Sequence, residues 1–159
     1  MRKLINAAAC ALLLGLSTQA GLADVTKKGV WSPLDETYLK GLYANKTWIW
    51  KNGAAFFAAD GTFSAWSRDQ NALIKAIGTW EAVPDGKLCF SASWQADPKP
   101  ASAPAVPVVK TCFSHKVKGR EIAQRKDPDG DWYIFKHSKA KRGDEIMKLR
   151  NGKLGLKAS

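Results

Sequence analysis

The chain has 159 residues, of which 45% are hydrophobic, and its formal net charge at pH 7 is +11. This length predicts a single domain with one hydrophobic core. The longest apolar run, near the N-terminus, is too short to span a bilayer, which excludes a transmembrane segment.

The N-terminal residues 1–23 have the pattern of a secretory signal peptide. Two basic residues follow Met1, residues 4–16 are apolar except for one asparagine, and small residues follow up to Ala23. We expect cleavage near Ala23, with Ala20 as the alternative. The mature protein is therefore expected to be periplasmic or secreted.

Residues 24–45 are predicted to form a lead-in and one short helix. Ser32 has the character of an N-cap, and Pro33 suits the first helical position. Apolar residues recur at helical spacing from Pro33 to about Ala44. The helix is expected to lie against one end of the sheet that follows.

Residues 46–67 predict three consecutive antiparallel strands. Trp48 and Trp50 alternate on the first strand, and aromatic residues continue on the next two. Asn52-Gly53 and Asp60-Gly61 are typical of tight hairpin turns, with the positive φ that a type I′ turn requires.

The remaining elements are also strands in sequential hairpins. An exposed, proline-rich loop is expected at residues 95–107, and the strands are predicted at residues 72–77, 78–83, 87–94, 108–115, 121–125 and 132–136. For residues 72–77 a helical turn is the alternative, because alanine and leucine do not favour strands. About eight antiparallel strands predict an all-β fold, an up-and-down barrel over residues 46–137. A two-sheet β-sandwich is the alternative. Residues 138–159 are expected to be a basic C-terminal segment with one ordered element near residues 144–147 and a solvated tail.

Cys89 and Cys112 remain after signal cleavage, and an even pair in an exported protein predicts one disulfide. Both cysteines alternate with serines, which places them on the outer, more polar face of neighbouring strands. Free thiols or a zinc pair are disfavoured, because the sequence has no CxxC motif and its two histidines are not spaced for a site. No metal or cofactor is predicted.

Seven short motifs lie along residues 43–137: Thr47-Trp48-Ile49-Trp50, Gly53-Ala54-Ala55-Phe56-Phe57, Asp60-Gly61-Thr62-Phe63, Gly78-Thr79-Trp80, Leu88-Cys89-Phe90, Thr111-Cys112-Phe113-Ser114-His115 and Gly130-Asp131-Trp132-Tyr133-Ile134-Phe135. Together they resemble a bacterial exported family that is catalogued as domain of unknown function nine-nine-five. This resemblance implies no activity and no catalytic residue.

The chain is also similar, more broadly, to lipocalin-like barrels, in which the first strand carries a Gly-x-Trp motif. Here that motif occurs at Gly78-Thr79-Trp80, in a middle strand. The likeness therefore concerns architecture and implies no ligand.

Tryptophans on the predicted strands form one candidate site for a small apolar or sugar ligand. Most of these rings are expected to share the inner side of the barrel. The alternative is that they fill the core of a small barrel. The candidate ligand-binding residues are Trp48, Trp50, Trp66, Trp80, Trp94 and His115.

A basic surface forms a second candidate site, for an anionic envelope polymer or a protein partner. Nucleic acid is an unlikely partner in this compartment. The alternative is a solvated face that only confers solubility. The candidate residues are Lys116, Lys118, Arg120, Arg125 and Lys126.

We therefore predict an exported, non-catalytic binding or interaction module. An inhibitor-type protein that acts through loops and the basic face is the alternative reading, and a hydrolase is a third. A hydrolase would need a nucleophile and a carboxylate beside His115 or His137, but the sequence has no G-x-S-x-G motif and its acidic residues cluster in turns.

Overall fold

The structure is a computed structural model, and it describes residues 29–69 and 72–155. The predicted signal peptide lies outside these residues. Within the described ranges, one helix, α1 (Glu36–Tyr43), and one 3₁₀ helix (Glu145–Lys148) accompany ten strands. The strands are β1 (Ser32–Pro33), β2 (Lys46–Trp50), β3 (Gly53–Phe57), β4 (Thr62–Asp69), β5 (Ala72–Val83), β6 (Lys87–Ala96), β7 (Val109–Lys118), β8 (Glu121–Lys126), β9 (Tyr133–Lys136) and β10 (Leu149–Asn151).

All the strands belong to one antiparallel sheet in the order β10-β2-β3-β4-β5-β6-β7-β8-β9, with β1 added beside β7. The sheet curls into a half-barrel with a concave inner face and a convex outer face. This confirms the all-β, barrel-like fold rather than the two-sheet alternative. The 3₁₀ helix packs against both β9 and β2, at the side where the sheet does not close on itself. In the described part of the chain, no helix is long and apolar enough to cross a membrane.

The helix begins later than predicted. Ser32 and Pro33 form β1, paired with Val117 and Lys116, so Ser32 is not the N-cap. Asp35 caps the helix instead, and its carboxylate accepts a hydrogen bond from the backbone N–H of Tyr38 at 2.9 Å. Proline is tolerated in β1 because the strand is short and lies at an edge.

Helix α1 lies at one end of the sheet, as predicted. It packs against β5 and β6, and its inward residues Leu39 and Tyr43 are fully buried. These two side chains, four residues apart, form the apolar stripe by which a short helix is anchored to a core.

Strand β5 is one continuous strand, although the sequence predicted two. Its residues pair with β6 from Ile74 opposite Ala96 to Val83 opposite Lys87, without a break at Gly78. A Cβ atom at Gly78 would lie 1.9 Å from the carbonyl oxygen of Ser91. The glycine therefore permits a close approach of two strands and does not mark a turn.

The first hairpin turn is displaced by one residue from its predicted position. Trp50 pairs with Gly53, so the two-residue loop is Lys51-Asn52, and Gly53 begins β3. A Cβ atom at Gly53 would lie 2.4 Å from the indole Cε2 of Trp50. Gly53 is thus required by the packing of that ring, whereas Gly61 has the predicted positive φ, of 86°.

The sheet extends beyond the predicted barrel limit at residue 137. Strand β10 pairs with β2, and the Thr47 hydroxyl donates to the carbonyl oxygen of Gly152 at 2.7 Å. Ile146 and Leu149 pack against the core. The segment predicted as a solvated tail therefore contributes a strand up to Asn151; the final four residues lie outside the described part.

Asp144 holds this C-terminal segment to the end of β9. Its buried carboxylate accepts hydrogen bonds from the backbone N–H groups of His137 and Lys141, both at 2.9 Å, and contacts the His137 Nδ1 at 2.6 Å. Burial alone would raise the pKa of Asp144, but these hydrogen bonds lower it to about 2.

Candidate functional site

The concave face is divided into a polar end and an aromatic end. At the polar end, beneath α1, His115 is 1% exposed, and its Nε2 lies 3.0 Å from the Tyr43 hydroxyl and 2.7 Å from Gln124 Nε2. His115 Nδ1 lies 3.1 Å from the Phe113 carbonyl oxygen, and the Tyr133 hydroxyl donates to Gln124 Oε1. Because Nδ1 faces an acceptor, it carries the proton, and Nε2 accepts.

Burial controls the ionisation of this buried cluster. It lowers the pKa of His115 to about 4, against hydrogen bonds that favour the charged form, and it raises the pKa of Tyr133 to about 12. It also raises the pKa of Tyr43 well above its ordinary value. At neutral pH the three groups are therefore uncharged.

At the aromatic end, the concave face forms an open cavity of about 380 Å³. Eight of the lining side chains are apolar or aromatic, a ninth is Thr111, and two charged residues complete the wall. The apolar and aromatic lining residues comprise Trp48, Trp50, Ala55, Phe57, Phe63, Phe90, Trp94 and Phe113.

Strand alternation and register build this cavity. Trp48 and Trp50 lie on the same face of β2, and Trp48 pairs with the small residue Ala55, which leaves space above β3. The rings contact one another across strands: Phe63 and Phe90 stack with centroids 4.5 Å apart, and Trp48 meets Phe113 edge to face at 5.1 Å. Phe57 and Phe63 form the buried floor.

Two charged residues of opposite sign lie in the cavity wall. Glu145 Oε1 accepts a hydrogen bond from the Trp48 indole N–H at 2.8 Å, and Glu145 Oε2 accepts one from Lys148 Nζ at 2.7 Å. The second charged residue is Lys126, which pairs with Phe113 at the end of β8 and is exposed.

The structure brings together only part of the predicted ligand site. Trp48, Trp50 and Trp94 line the cavity. Trp80 is 5% exposed and lies outside the cavity, where its indole N–H donates to the carbonyl oxygen of Ala58 at 2.7 Å. Its role is in the core, as the alternative interpretation held.

The predicted inward position of Trp66 is wrong. Trp66 pairs with Ala54 and Lys75, and it lines a groove on the outer face together with Phe56 and Ile77. His115 faces inward, as predicted, but it belongs to the polar cluster under α1 and does not line the cavity.

The predicted basic surface is also divided. The Nζ atom of Lys116 lies 3.9 Å from the ring centroid of Trp132, and the Cζ atom of Arg125 lies 5.1 Å from the same centroid. Lys116 and Lys118 lie 5.2 Å and 4.9 Å from the ring centroid of Trp31. We call these five residues the cation–aromatic ladder. Neither tryptophan was predicted as part of it, because both lie outside the regular alternation of the long strands.

The other two predicted basic residues lie elsewhere. Arg120 lies in the turn between β7 and β8 and lines a pocket with Tyr38 and Lys136. Lys126 lies in the wall of the aromatic cavity, because β8 alternates and places Gln124 and Lys126 on the concave side. Its predicted place on the outer basic surface is wrong.

The predicted disulfide is confirmed. Cys89 and Cys112 are directly opposite each other in the register of β6 and β7, with Cα atoms 4.1 Å apart. They alternate with the inward residues Leu88 and Phe90, so they lie on the outer side of the sheet, although Cys89 is only 3% exposed. The bond lies at the base of the proline-rich loop.

Across residues 29–69 and 72–155, no cluster of three or more histidine, cysteine, aspartate or glutamate side chains is arranged to hold a metal ion. The cavity on the concave face is lined by aromatic rings and by the two charged groups beside them.

The fold and the cavity define a small all-β protein, a half-barrel with one end filled by a helix and the other lined by aromatic rings. The chain belongs to the family described as "Protein of unknown function (DUF995)", whose model matches residues 10–154. The match extends the resemblance predicted from residues 43–137. No curated protein and no solved structure matches the chain.

Proposed function

We propose that the protein is an exported, non-catalytic binding module for a small, mostly apolar molecule, and that the molecule occupies the aromatic cavity. The observation that carries this proposal is the difference between the two ends of the concave face. Under α1 the side chains of Tyr43, His115 and Gln124 are almost completely buried, whereas Trp48, Trp50 and Trp94 in the cavity remain half-buried.

The size and chemistry of the cavity support an apolar ligand. A volume of about 380 Å³ is within the range of roughly 300 to 1,000 Å³ that small-molecule sites occupy, and such sites combine apolar walls with a few polar groups. A sugar would need many hydrogen-bonding partners, and the wall offers Thr111 and two charged residues. We therefore favour an apolar ligand over a sugar.

The environment of the buried histidine supports a non-catalytic role. Both ring nitrogens of His115 have hydrogen-bonding neighbours inside the protein, which are the Phe113 carbonyl, Tyr43 and Gln124. A general base must reach a substrate proton. The export part of the proposal rests on the N-terminal sequence pattern and on the disulfide, since disulfides persist in oxidising compartments.

Native mass spectrometry of the protein, purified from an expressing bacterium and compared with its denatured form, tests the proposal. We expect a mass difference that corresponds to a released small molecule. Protein that carries no molecule, and that is stabilised by none of a panel of apolar compounds, would contradict the proposal.

Shortening Trp50 tests the cavity as the binding site. We expect Trp50→Ala to weaken the binding of an apolar compound at least about tenfold, because a large ring leaves the wall. Trp66→Ala is the matched control, since Trp66 lies on the outer face and the same number of atoms is removed. Isothermal titration calorimetry measures both affinities, and equal losses in the two variants would argue against this site.

The cation–aromatic ladder supports a second candidate function, binding of an acidic polysaccharide. Positive charge and half-exposed rings on one surface suit a polymer that carries both carboxylates and sugar rings. Trp132 is 39% exposed, and Lys116 and Lys118 lie beside the Trp31 ring.

We expect the double variant Lys116→Glu, Lys118→Glu to bind alginate at least about tenfold more weakly than the unchanged protein at low salt, with the difference shrinking as salt rises. Lys139→Glu, Arg142→Glu is the control, because it changes the net charge equally at exposed positions outside the ladder. Equal weakening in both double variants would mean that binding depends only on the net charge of the protein. That result would contradict the ladder as the binding surface.

A further inference from the structure

The two charged residues in the cavity wall differ in how far they are already paired. Both carboxylate oxygens of Glu145 accept hydrogen bonds within the protein, one from the Trp48 indole and one from the Lys148 ammonium. Lys148 lies three residues further along the chain and forms an ion pair with Glu145. The negative charge of Glu145 is therefore balanced before any ligand enters.

Lys126 is not balanced in this way. Among the ion pairs of the described residues, none includes Lys126, whereas Lys87 and Arg125 on the outer side share Asp127. Lys126 is exposed at the rim of the cavity, directly opposite Phe113 in the register of β7 and β8. The charge that remains available to a molecule in the cavity is therefore positive.

Thr111 lies near this charge. It is on the same strand face as Phe113, two residues before it, and Phe113 is the partner of Lys126. Side chains at such diagonal positions on one face of a sheet are about 7–8 Å apart. A small anionic group that lies between Thr111 and Lys126 can contact one of them with each of two oxygens. The hydroxyl of Thr111 is a second donor beside the ammonium group.

We propose that the ligand is an amphipathic carboxylic acid, with its apolar body among the rings of Trp48, Trp50 and Trp94 and its carboxylate at Lys126. This proposal rests on the proposed binding function and names the class of ligand. An apolar molecule without a charge would cover Lys126 and remove water from its ammonium group without a replacement. A carboxylate provides that replacement through a charge-assisted hydrogen bond.

A cationic ligand is disfavoured by the same arrangement. Aromatic rings attract cations, and a ring of tryptophans with a carboxylate would suit a quaternary ammonium group. Here, however, the carboxylate of Glu145 is held by Lys148 and Trp48, and Lys126 would repel a cation at the rim.

Three probes of equal chain length and different head groups test the proposal. Decanoate and decyltrimethylammonium are used below their micelle concentrations, and decanol is used below its solubility limit. Calorimetric titration of the purified protein is expected to give decanoate an affinity at least about tenfold higher than that of decanol. Lys126→Gln should abolish this preference, because decanoate loses its ammonium partner and decanol no longer covers a charged group. Lys126→Glu should reverse it in favour of the ammonium probe. Lys139→Gln, at an exposed lysine outside the cavity, should behave as the unchanged protein does.

Different results would overturn different claims. Equal affinities for decanoate and decanol, tightest binding of the ammonium probe, or an unchanged preference in Lys126→Gln would overturn the carboxylic acid while leaving the cavity as a binding site. Binding of none of the three probes would overturn the cavity function as well.

Discussion

Replacement of both Cys89 and Cys112 by alanine is expected to lower the free energy of unfolding by about 3 kcal/mol. The bond closes a segment with a sequence separation of 23 residues, and on the chain-entropy model a loop of that length restricts the unfolded chain by this amount. The effect acts largely through the unfolded state, so the fold itself should be retained.

The disulfide joins strands β6 and β7, so its loss is expected to act mainly on the pairing of these two strands. Strands β6 and β7 pair only over Lys87–Ala92 and Val109–Ser114, and the intervening loop is mostly exposed. Without the covalent bond, this long loop must be closed by the strand pairing alone.

Urea denaturation of the oxidised protein, the reduced protein and the double variant measures the loss. The reduced protein is the internal control, since it keeps both cysteine side chains, and it should lose about as much stability as the double variant. A double variant within about 1 kcal/mol of the oxidised protein would contradict the entropic account.

The sequence was sufficient to predict the class of fold, the disulfide and the inward position of most strand tryptophans. These features depend on local patterns, namely alternation within a strand, turn residues and an even pair of cysteines. Trp48 and Trp50 were placed correctly because both lie on one strand and share its phase.

It was harder to predict which face of each strand lies on the concave side of the sheet. Strand β3 contains Phe56 and Phe57 side by side, one on each face, so its aromatic residues do not show which face is concave. The register then places Trp66 opposite Ala54, on the outer face. A shift of one residue reverses the face of every side chain in a strand, and local alternation does not determine that shift.

Polar residues on the concave face were the other failure. Gln124 and Lys126 face inward on β8, although Lys126 was predicted to belong to the basic surface. Gln124 is explained by its buried hydrogen bonds with His115, its partner on β7, and with Tyr43, which is distant in sequence. Strand β10 was missed for a related reason, since its three residues carry no apolar alternation and are held by pairing with β2.

The free energy of unfolding is expected to fall by about 3 kcal/mol between pH 7 and pH 4 because of His115. Burial lowers the pKa of His115 to about 4 in the folded protein, whereas an unfolded histidine has a pKa near 6.5. Between these values the unfolded chain binds a proton that the folded chain does not bind. The contribution of His115 to stability is therefore fully present above about pH 6.5 and is lost progressively as the pH falls toward 4.

This pH range distinguishes the contribution of His115 from that of Asp144, whose pKa is also strongly shifted. The pKa of Asp144 is lowered to about 2, so its contribution to stability is present above the ordinary aspartate pKa near 4 and is lost only below it. A loss of stability between pH 6.5 and pH 4 therefore reports on the histidine.

His115→Gln should flatten the pH dependence, because glutamine can retain a hydrogen bond to Tyr43 or Gln124 without binding a proton. Urea denaturation of the unchanged protein and of the variant, each at pH 7 and at pH 4.5, measures the difference in slope. If His115→Gln does not fold, nitrogen-15 NMR of the unchanged protein measures the titration of the buried imidazole directly. Titration near pH 6.5 would contradict the claim that the fold holds His115 neutral.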